Sequence, residues 1–184
     1  ESDWRSLLTW NADDALTSGP VGFTRDGQSL YLRDARDVDA SRLVQLNLSS
    51  HALTVLAADA QYDVGSTMVH PDTYEIQAVA FVKDRVAWRV LDASIQDDFA
   101  QITRLHPGDC SIISRDNADQ TWLIAFTVDN GPVSFYAYDR TSQHATFLFE
   151  NQPDLQQYTL AQMQPISFTA RDGLTIHGYL TRPA

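Results

Sequence analysis

Short apolar runs separated by turn residues recur along this chain at a spacing of roughly ten residues. The runs are rich in valine, isoleucine, leucine and aromatic residues, a composition typical of β-strands. They read SLYLRD, RLVQLNL, ALTVLA, EIQAVAFV, RVAWRVLD, AQITRL, CSIIS, WLIAFTVD, VSFYAYD and ATFLFE. Helical periodicity is weak and predicts at most a turn or two of helix in PDLQQYTLAQM and in SDWRSLLTW. The pattern is typical of an all-β sandwich, barrel or propeller.

An internal repeat narrows these alternatives. The segment RLVQLNLSSHALTVL (residues 42–56) aligns without a gap to SFYAYDRTSQHATFL (residues 134–148), which lies 92 residues further along the chain. Upstream of it, TRDGQSLYLRD from Thr24 matches SRDNADQTWLIAF from Ser114 more loosely. Half of this offset is close to the roughly 40–50 residues of one propeller blade. The repeat therefore indicates two blades with a third between them.

The middle blade is expected in residues 75–105. The runs EIQAVAF, RVAWRVLD and FAQITRL supply strand, turn, strand, loop and strand in this window. A single blade exposes two apolar faces, and stacking against its neighbours buries them. We predict an all-β chain folded as a partial β-propeller of about three to four blades, with a two-sheet β-sandwich as the alternative. Because so few blades do not close a ring, self-association of the chain is also expected.

Charge and composition exclude several classes of function. The 184 residues carry 24 acidic and 13 basic side chains, for a formal net charge of −11. Nucleic acid and anionic membrane surfaces need a basic footprint, so neither is expected as a partner. No apolar run reaches membrane-spanning length, and the start of the chain has neither an initiator methionine nor a signal-peptide layout. We read this start as a processing boundary, and the compartment stays open between cytoplasm and periplasm.

Two longer stretches resemble a known family. They are YDVGSTMVHPDTYEIQAVAFVKDRVAWRVLD and SRDNADQTWLIAFTVDNGPVSFYAYDRTSQHATFLFENQPDL. Both resemble the N-terminal β-propeller of bacterial serine peptidases of the prolyl oligopeptidase family. The similarity is greatest to the branch that contains acylaminoacyl-peptidase-like and dipeptidyl-aminopeptidase-like members. The resemblance implies that the chain is the propeller region of a longer peptidase.

The last residues, LAQMQPISFTARDGLTIHGYLTRPA, resemble the passage from the last blade into the α/β-hydrolase domain of that family. The family phrase has an aromatic residue, an Asp-Gly turn, and then an aliphatic residue before Gly-Tyr-Leu and a proline. The matching positions are Phe168, Asp172, Gly173, Ile176, Gly178, Tyr179, Leu180 and Pro183. The resemblance therefore implies a propeller part in residues 1–163. Residues 164–184 would then be a linker and the opening hairpin of a catalytic domain absent from this chain.

The catalytic chemistry of that family is missing from the sequence. A serine hydrolase of this type needs a nucleophile on a G-x-S-x-G elbow, and no such motif occurs here. The resemblance places the nucleophile, acid and base beyond the end of this chain. We therefore predict no catalytic, cofactor-binding or metal-ligating residue in it, and no cofactor.

Individual polar residues support this expectation. The histidines show no metal-ligand spacing and are predicted to be ordinary surface or strand residues; they are His51, His70, His106, His144 and His177. Turn formation accounts best for the acidic residues that could suggest calcium; they are Asp13, Asp14, Asp97, Asp98, Asp116 and Asp119. Asn47 begins a formal glycosylation sequon, which has no meaning in a bacterial protein. Cys110 is expected to be a small buried apolar residue.

Tryptophans and arginines are the remaining candidates. Trp88 and Trp122 lie in apolar strands and are predicted to pack between sheets, whereas Trp4 and Trp10 lie near the start of the chain. The arginines that could hold a peptide terminus in a propeller-capped peptidase are Arg33, Arg36, Arg89 and Arg140.

Two hypotheses of function remain open. In the first, the chain is the noncatalytic part of a serine peptidase and limits the access of peptide substrates to an α/β-hydrolase domain. In the second, it is an independent propeller-like module that binds or scaffolds a protein partner. The coding sequence beyond Ala184 distinguishes them.

Overall fold

The computed structural model describes Trp4 and residues 6–183. Thirteen β-strands, one α-helix and three short 3-10 helices lie within these residues. The chain divides between Ile95 and Gln96 into two compact units. The described strands form four antiparallel sheets, which confirms the predicted all-β class, and a count of four rather than two excludes the two-sheet sandwich. In the part of the chain described, no helix has the length and apolar character needed to cross a bilayer.

The first sheet, in the first unit, has four strands in chain order. They are β1 (Gly19–Phe23), β2 (Ser29–Asp34), β3 (Arg42–Asn47) and β4 (Leu53–Ala57). A 3-10 helix (Asp14–Leu16) precedes them. Strands β2 and β3 pair from Ser29–Asn47 to Asp34–Arg42 and bury an apolar cluster between them. This cluster comprises Leu30, Leu32, Val44 and Leu46, covered by Leu7, Leu8, Trp10 and Leu48.

The second sheet of this unit is three-stranded. Its strands are β5 (Val64–Val69), β6 (Ile76–Val82) and β7 (Val86–Val90). Strand β6 lies in the middle and is buried from its second to its sixth residue. A second apolar cluster joins this sheet to the first one and comprises Leu43, Ala57, Val64, Val79 and Phe81. A 3-10 helix (Ala93–Ile95) follows β7.

The second unit opens with helix α1 (Gln96–Leu105). The prediction of a strand at FAQITRL is therefore wrong. Phe99 and Ile102 are three residues apart and both are buried, which is the spacing of a helix face. Asp97 in the first turn and Arg104 in the last also favour a helix through its dipole. The third strand of the middle blade is β5 instead, which lies upstream of the predicted window.

The third sheet follows α1 and again has four strands in chain order. They are β8 (Asp109–Arg115), β9 (Thr121–Thr127), β10 (Ser134–Asp139) and β11 (His144–Glu150). The predicted repeat is confirmed, because β10 begins and ends 92 residues after β3. Burial is greatest in β9, where Trp122, Ile124 and Phe126 are inaccessible to solvent.

A two-stranded hairpin completes the second unit. A 3-10 helix (Pro153–Gln157) accounts for the helical turn predicted in PDLQQYTLAQM. Strands β12 (Met163–Thr169) and β13 (Thr175–Thr181) then pair without a register shift. The turn between them holds Gly173 at φ 89°, a left-handed conformation that favours glycine. The helical turn predicted for SDWRSLLTW lies partly outside the described residues, and residues 6–10 have no helix.

Candidate functional site

Helix α1 presents a buried carboxylate to the sheet that follows it. Asp98 lies in the first turn of the helix and is only 5% exposed. The hydroxyl of Tyr138 donates to its Oδ1 at 3.0 Å, and Nε of Arg140 donates to its Oδ2 at 2.9 Å. Tyr138 lies on β10 and Arg140 directly follows that strand. These two bonds therefore fasten the start of α1 to the end of β10.

Arg140 also binds a second buried carboxylate. Its Nη1 donates to Oδ2 and to the backbone carbonyl of Asp119, both at 2.8 Å. Oδ1 of Asp119 accepts from Nη1 of Arg115 at 2.9 Å and from Nε1 of Trp122 at 2.8 Å. Asp119 is 3% exposed and lies in the turn between β8 and β9. One arginine therefore links the helix, this turn and the end of β10.

We call this group the buried charge cluster; its members are Asp98, Arg115, Asp119, Trp122, Tyr138 and Arg140. The ring of Trp122 lies at its centre, with Cζ of Arg140 at 5.1 Å and Cζ of Arg115 at 5.9 Å from the ring centroid. An aromatic face attracts a guanidinium group more strongly when both are desolvated. The edge of Phe99, from α1, contacts the same indole at a centroid distance of 6.1 Å.

The protonation states of the cluster follow from its burial. Burial raises the pKa of Tyr138 above its ordinary value, and the hydrogen bond to Asp98 raises it further. The phenol is thus a neutral donor over the physiological range. Burial lowers the pKa of Arg115, and the charge of Asp119 opposes that shift. Two carboxylates face two guanidinium groups, so the charges balance. Such an arrangement suits the positioning of α1 rather than the transfer of a proton or acyl group.

A cavity of about 280 Å³ lies beside the cluster, between α1 and the turn from β10 to β11. Ile102 and Tyr138 line it, and both are almost completely buried. Four polar side chains also line it: Gln101 and Arg104 from the helix, and Gln143 and His144 from the turn and the start of β11. We refer to it as the α1 cavity.

The four candidate arginines occupy different places. Arg140 belongs to the buried charge cluster. Arg36 forms an ion pair of 2.7 Å with Asp34, a carboxylate that is almost completely buried. Arg89 donates to a backbone carbonyl at 2.9 Å, and Arg33 lies half-buried on β2. The structure therefore brings Arg140 together with two of the candidate aspartates, and Arg36 shares the carboxylate of Asp34 with Trp10.

The histidines are dispersed as predicted. Nδ1 of His70 accepts two backbone N–H groups at 3.1 Å, and the ring of His106 packs 5.0 Å from that of a phenylalanine. Burial lowers the pKa of His106. His51 occupies the turn between β3 and β4, His144 lines the α1 cavity, and His177 is exposed on β13. In the part of the chain that the structure describes, no group of three metal-binding side chains is close enough to hold an ion.

The acidic residues divide into two kinds. Asp116 follows the turn prediction, since its Oδ1 accepts the backbone N–H groups of Gln120 and Thr121 at 2.7 and 3.0 Å. Asp13 and Asp14 lie at the first 3-10 helix, and Asp97 lies in the first turn of α1. The turn interpretation is wrong for Asp98, which lies in α1 and whose carboxylate binds Arg140. Asp119 does lie in a turn, but its carboxylate binds the side chains of Arg115 and Arg140. Arg115 lies only four residues before Asp119, whereas Arg140 lies far along the chain from both aspartates, so sequence offered no signal for the Arg140 pairs.

Cysteine and tryptophan behave largely as expected. Cys110 is buried on β8, and burial raises the pKa of its thiol to about 12, so it stays protonated. Trp122 is fully buried, which confirms its predicted packing role. Trp88 is half-buried on β7, and Trp4 is exposed. Nε1 of Trp10 donates to the buried Asp34 at 2.9 Å, a partner that the sequence did not indicate.

The hairpin β12–β13 has an exposed apolar surface. Phe168 is 57% exposed, and several other large apolar side chains of the hairpin are similarly accessible. They are Met163, Ile166, Leu174, Ile176 and Tyr179. A two-stranded hairpin is only marginally stable in water without packing against another element.

Sequence comparison identifies relatives of known activity. Dipeptidyl aminopeptidase BIII from Pseudoxanthomonas mexicana is 35% identical over 180 residues, which are 98% of this chain. The chain is homologous to part of a dipeptidyl aminopeptidase. Dipeptidyl peptidase family member 6 from Caenorhabditis elegans is 25% identical over 185 aligned positions that span the whole chain. No protein-family model matches the chain.

Solved structures similar to this chain include prolyl oligopeptidases. Prolyl oligopeptidase B from Galerina marginata, bound to a 25-residue macrocyclization substrate, matches 98% of the chain with a TM-score of 0.63 at 15% identity. A structure from a study of two prolyl endopeptidases also matches at 0.63, over 97% of the chain and with 13% identity. These matches confirm the predicted fold, a partial β-propeller.

The homology covers a limited part of the relatives. The chain spans 26% of the Pseudoxanthomonas enzyme and 25% of the Caenorhabditis protein. It likewise spans about a quarter of the matching solved chains. The relatives are therefore about four times longer than this chain.

Proposed function

We propose that this chain is the noncatalytic propeller segment of a serine peptidase. The observation that carries the proposal is the asymmetry of the alignments, which span 98% of this chain and 26% of a dipeptidyl aminopeptidase. A segment of that size, without a G-x-S-x-G motif, is suited to a supporting role beside a catalytic domain. On this proposal residues 1–163 are the propeller part and residues 164–184 open the hydrolase domain.

The surface of the hairpin supports this division. Apolar side chains of β12 and β13 are exposed along most of the hairpin. Exposed apolar patches of this kind mark surfaces that bind another protein element. An α/β-hydrolase domain of the same protein would bury them and would stabilise the hairpin.

The proposed role in the reaction is selection by size. Propeller blades are rigid antiparallel sheets, and a propeller placed over a catalytic cleft leaves a limited opening to it. An extended peptide enters such an opening, whereas a folded domain does not. The propeller segment therefore contributes to substrate choice, and the hydrolase domain supplies the nucleophile, base and oxyanion hole.

The first test is hydrolysis by the complete gene product. We expect the coding sequence beyond Ala184 to contain G-x-S-x-G followed by aspartate and histidine. The complete protein should release p-nitroaniline from dipeptidyl substrates, and replacement of the motif serine by alanine should abolish the reaction. The 184-residue chain alone should be inactive. Turnover by that chain, or a stop codon directly after Ala184, contradicts the proposal and favours a stand-alone binding module.

Selection by size needs a second test in the complete protein. The specificity constant should fall steeply between short peptides and a folded protein that carries the same cleavable sequence in an accessible loop. Prior unfolding of that protein substrate should restore its cleavage. Equal rates for the folded and unfolded forms contradict the gating role but leave the peptidase assignment intact.

A further inference from the structure

The α1 cavity combines positive charge, hydrogen-bond donors and apolar surface. Its volume of about 280 Å³ is near the lower end of the range for small-ligand sites. The carbon atoms of Ile102 and the ring of Tyr138 provide buried apolar surface. Polar groups along the same cavity come from the side chains of Arg104, His144, Gln101 and Gln143.

Arg104 is available to a ligand. Within residues 6–183 it forms no ion pair, whereas other arginines of this unit bind aspartates. A guanidinium group presents five donors in a planar fork that fits a carboxylate. In a chain with a net charge of −11, anions concentrate only where the local potential is positive, so an unpaired arginine in a cavity is notable.

Two acids of this unit already have partners. The carboxylate of Asp98 accepts from Tyr138, which lines the cavity, and from Arg140, whose positive charge offsets its own. The carboxylate of Asp139 accepts the backbone N–H and the hydroxyl of Ser142, which lower its pKa. The buried charge cluster thus reduces the negative charge beside the cavity that would oppose Arg104.

We propose that the α1 cavity binds a small organic carboxylate with a short apolar body. Arg104 binds the carboxylate, assisted by the imidazole N–H of His144, and the apolar body packs on Ile102 and Tyr138. The amide of Gln101 or Gln143 hydrogen-bonds a polar group of the ligand. This inference is independent of the peptidase assignment, since every lining residue belongs to the second unit of this chain.

The test uses N-acetyl-leucine as the probe and N-acetyl-leucinamide as its neutral counterpart. In amide ¹⁵N–¹H spectra, N-acetyl-leucine should shift the second half of α1 and residues 143–145 with a saturable dose response. The neutral amide should bind about tenfold more weakly, because it lacks the charge-assisted bond. Inorganic phosphate should also bind more weakly, because it has no apolar body.

Two substitutions decide whether the cavity is responsible. Arg104→Gln should weaken binding of N-acetyl-leucine about tenfold, whereas Arg171→Gln, the same change on an exposed arginine of the hairpin turn, should leave it unchanged. Gln101→Trp should block the cavity and remove binding without deleting a buried group. Equal binding of acid and amide, equal loss with the two arginine variants, or shifts outside the cavity would overturn the proposal.

Discussion

The two four-stranded sheets of this protein share one backbone plan and differ in how they hold the segment that precedes them. Strands β3 and β10 are offset by 92 residues, and the offset extends to the turns. Gly27 and Asp119 both have positive φ, of 67° and 53°, before β2 and β9. His51 and Gln143 also have positive φ, of 58° and 53°, before β4 and β11. The upstream register is therefore gapless, and Thr24 corresponds to Asp116 rather than to Ser114.

Side-chain turn bonds repeat with the same offset. Oδ1 of Asn47 accepts the backbone N–H of Ser50 at 2.9 Å, and Oδ1 of Asp139 accepts that of Ser142 at 2.7 Å. Asparagine and aspartate commonly order a turn in this way. The acceptor differs between the two turns, asparagine in one and aspartate in the other, but the donor is serine in both and the hydrogen bond is the same. The turns therefore preserve the backbone while the sheet surfaces vary.

The surfaces that face the preceding segments differ in character. In the first sheet, apolar residues meet an irregular segment; the residues are Leu30, Leu46 and Leu48, and the segment contributes Leu7, Leu8 and Trp10, whose indole also donates to Asp34. At the same register, the third sheet (β8–β11) has Trp122, Tyr138 and Arg140 under helix α1. Apolar contacts are non-directional, whereas hydrogen-bonded charges fix a geometry. We infer that the charge cluster specifies how α1 lies on its sheet.

The largest expected effect comes from replacing a residue of the third sheet by its counterpart in the first sheet. Arg140→Leu copies Leu48 and leaves the carboxylates of Asp98 and Asp119 buried without their shared partner. Breaking a buried ion pair on one side typically costs about 3–5 kcal/mol. Chemical denaturation should show a loss of this size, and hydrogen exchange should show faster opening of α1.

Arg104→Leu is the matched control, since it makes the same substitution on an exposed arginine of α1. It should change stability by about 0.5 kcal/mol or less. The double variant Asp119→Gly with Arg140→Leu should cost less than the two single changes together, because each removes the other's unpaired group. Strict additivity, or equal losses for the two arginine variants, would refute the cluster as a single unit.

The repeated strands could be predicted from sequence, whereas helix α1 and the charge cluster could not. Strand positions such as β3 and β10 follow from short runs rich in apolar and aromatic residues, which depend only on local sequence. Helix α1 was missed because its apolar residues form a short run that composition alone does not distinguish from a strand. The part of the charge cluster that joins α1 to its sheet was missed because it is non-local: Asp98 and Arg140 meet only after α1 and the third sheet have formed.

The phenol of Tyr138 gives the second prediction, with Leu46 as its counterpart in the first sheet. Tyr138→Phe removes one of the two hydrogen bonds to Asp98 and should cost about 1.5–3 kcal/mol near neutral pH, as bonds to charged groups do. The folded pKa is raised above the ordinary value near 10, so the native protein should lose stability as pH rises beyond 10.

Measurement of unfolding free energy at pH 8 and at pH 10.5 checks both parts. The Tyr138→Phe variant should lose less stability between these values than the native protein. Tyr136→Phe, the same change on the same strand, is the control for the loss of a phenol hydroxyl. A native-like pH dependence in Tyr138→Phe would show that this phenol does not titrate as its burial requires.

A close backbone contact beside the third sheet (β8–β11) gives the third prediction. A Cβ added to Gly108 would lie 2.7 Å from the carbonyl oxygen of Thr127, a distance that requires the backbone to shift. At the same register the first unit has Leu16, which is 85% exposed. Gly108→Ala should cost about 1–3 kcal/mol, whereas Leu16→Ala should cost little. Thermal unfolding of the two variants measures the difference, and a native melting temperature for Gly108→Ala would contradict the contact.

The smallest expected effect separates backbone preference from side-chain bonding in the corresponding turns. Gly27 has open space where a Cβ would lie, so Gly27→Ala should cost about 1 kcal/mol, through its positive φ alone. Gly27→Asn should cost less, because asparagine tolerates this conformation. Asp119→Gly should relieve the strain of a positive φ in the third sheet (β8–β11). It should still destabilise the protein, because Arg115, Trp122 and Arg140 lose the carboxylate that accepts their hydrogen bonds. If Asp119→Gly instead stabilises the protein in urea denaturation, backbone strain outweighs the cluster, and the ordering role inferred for these charges is wrong.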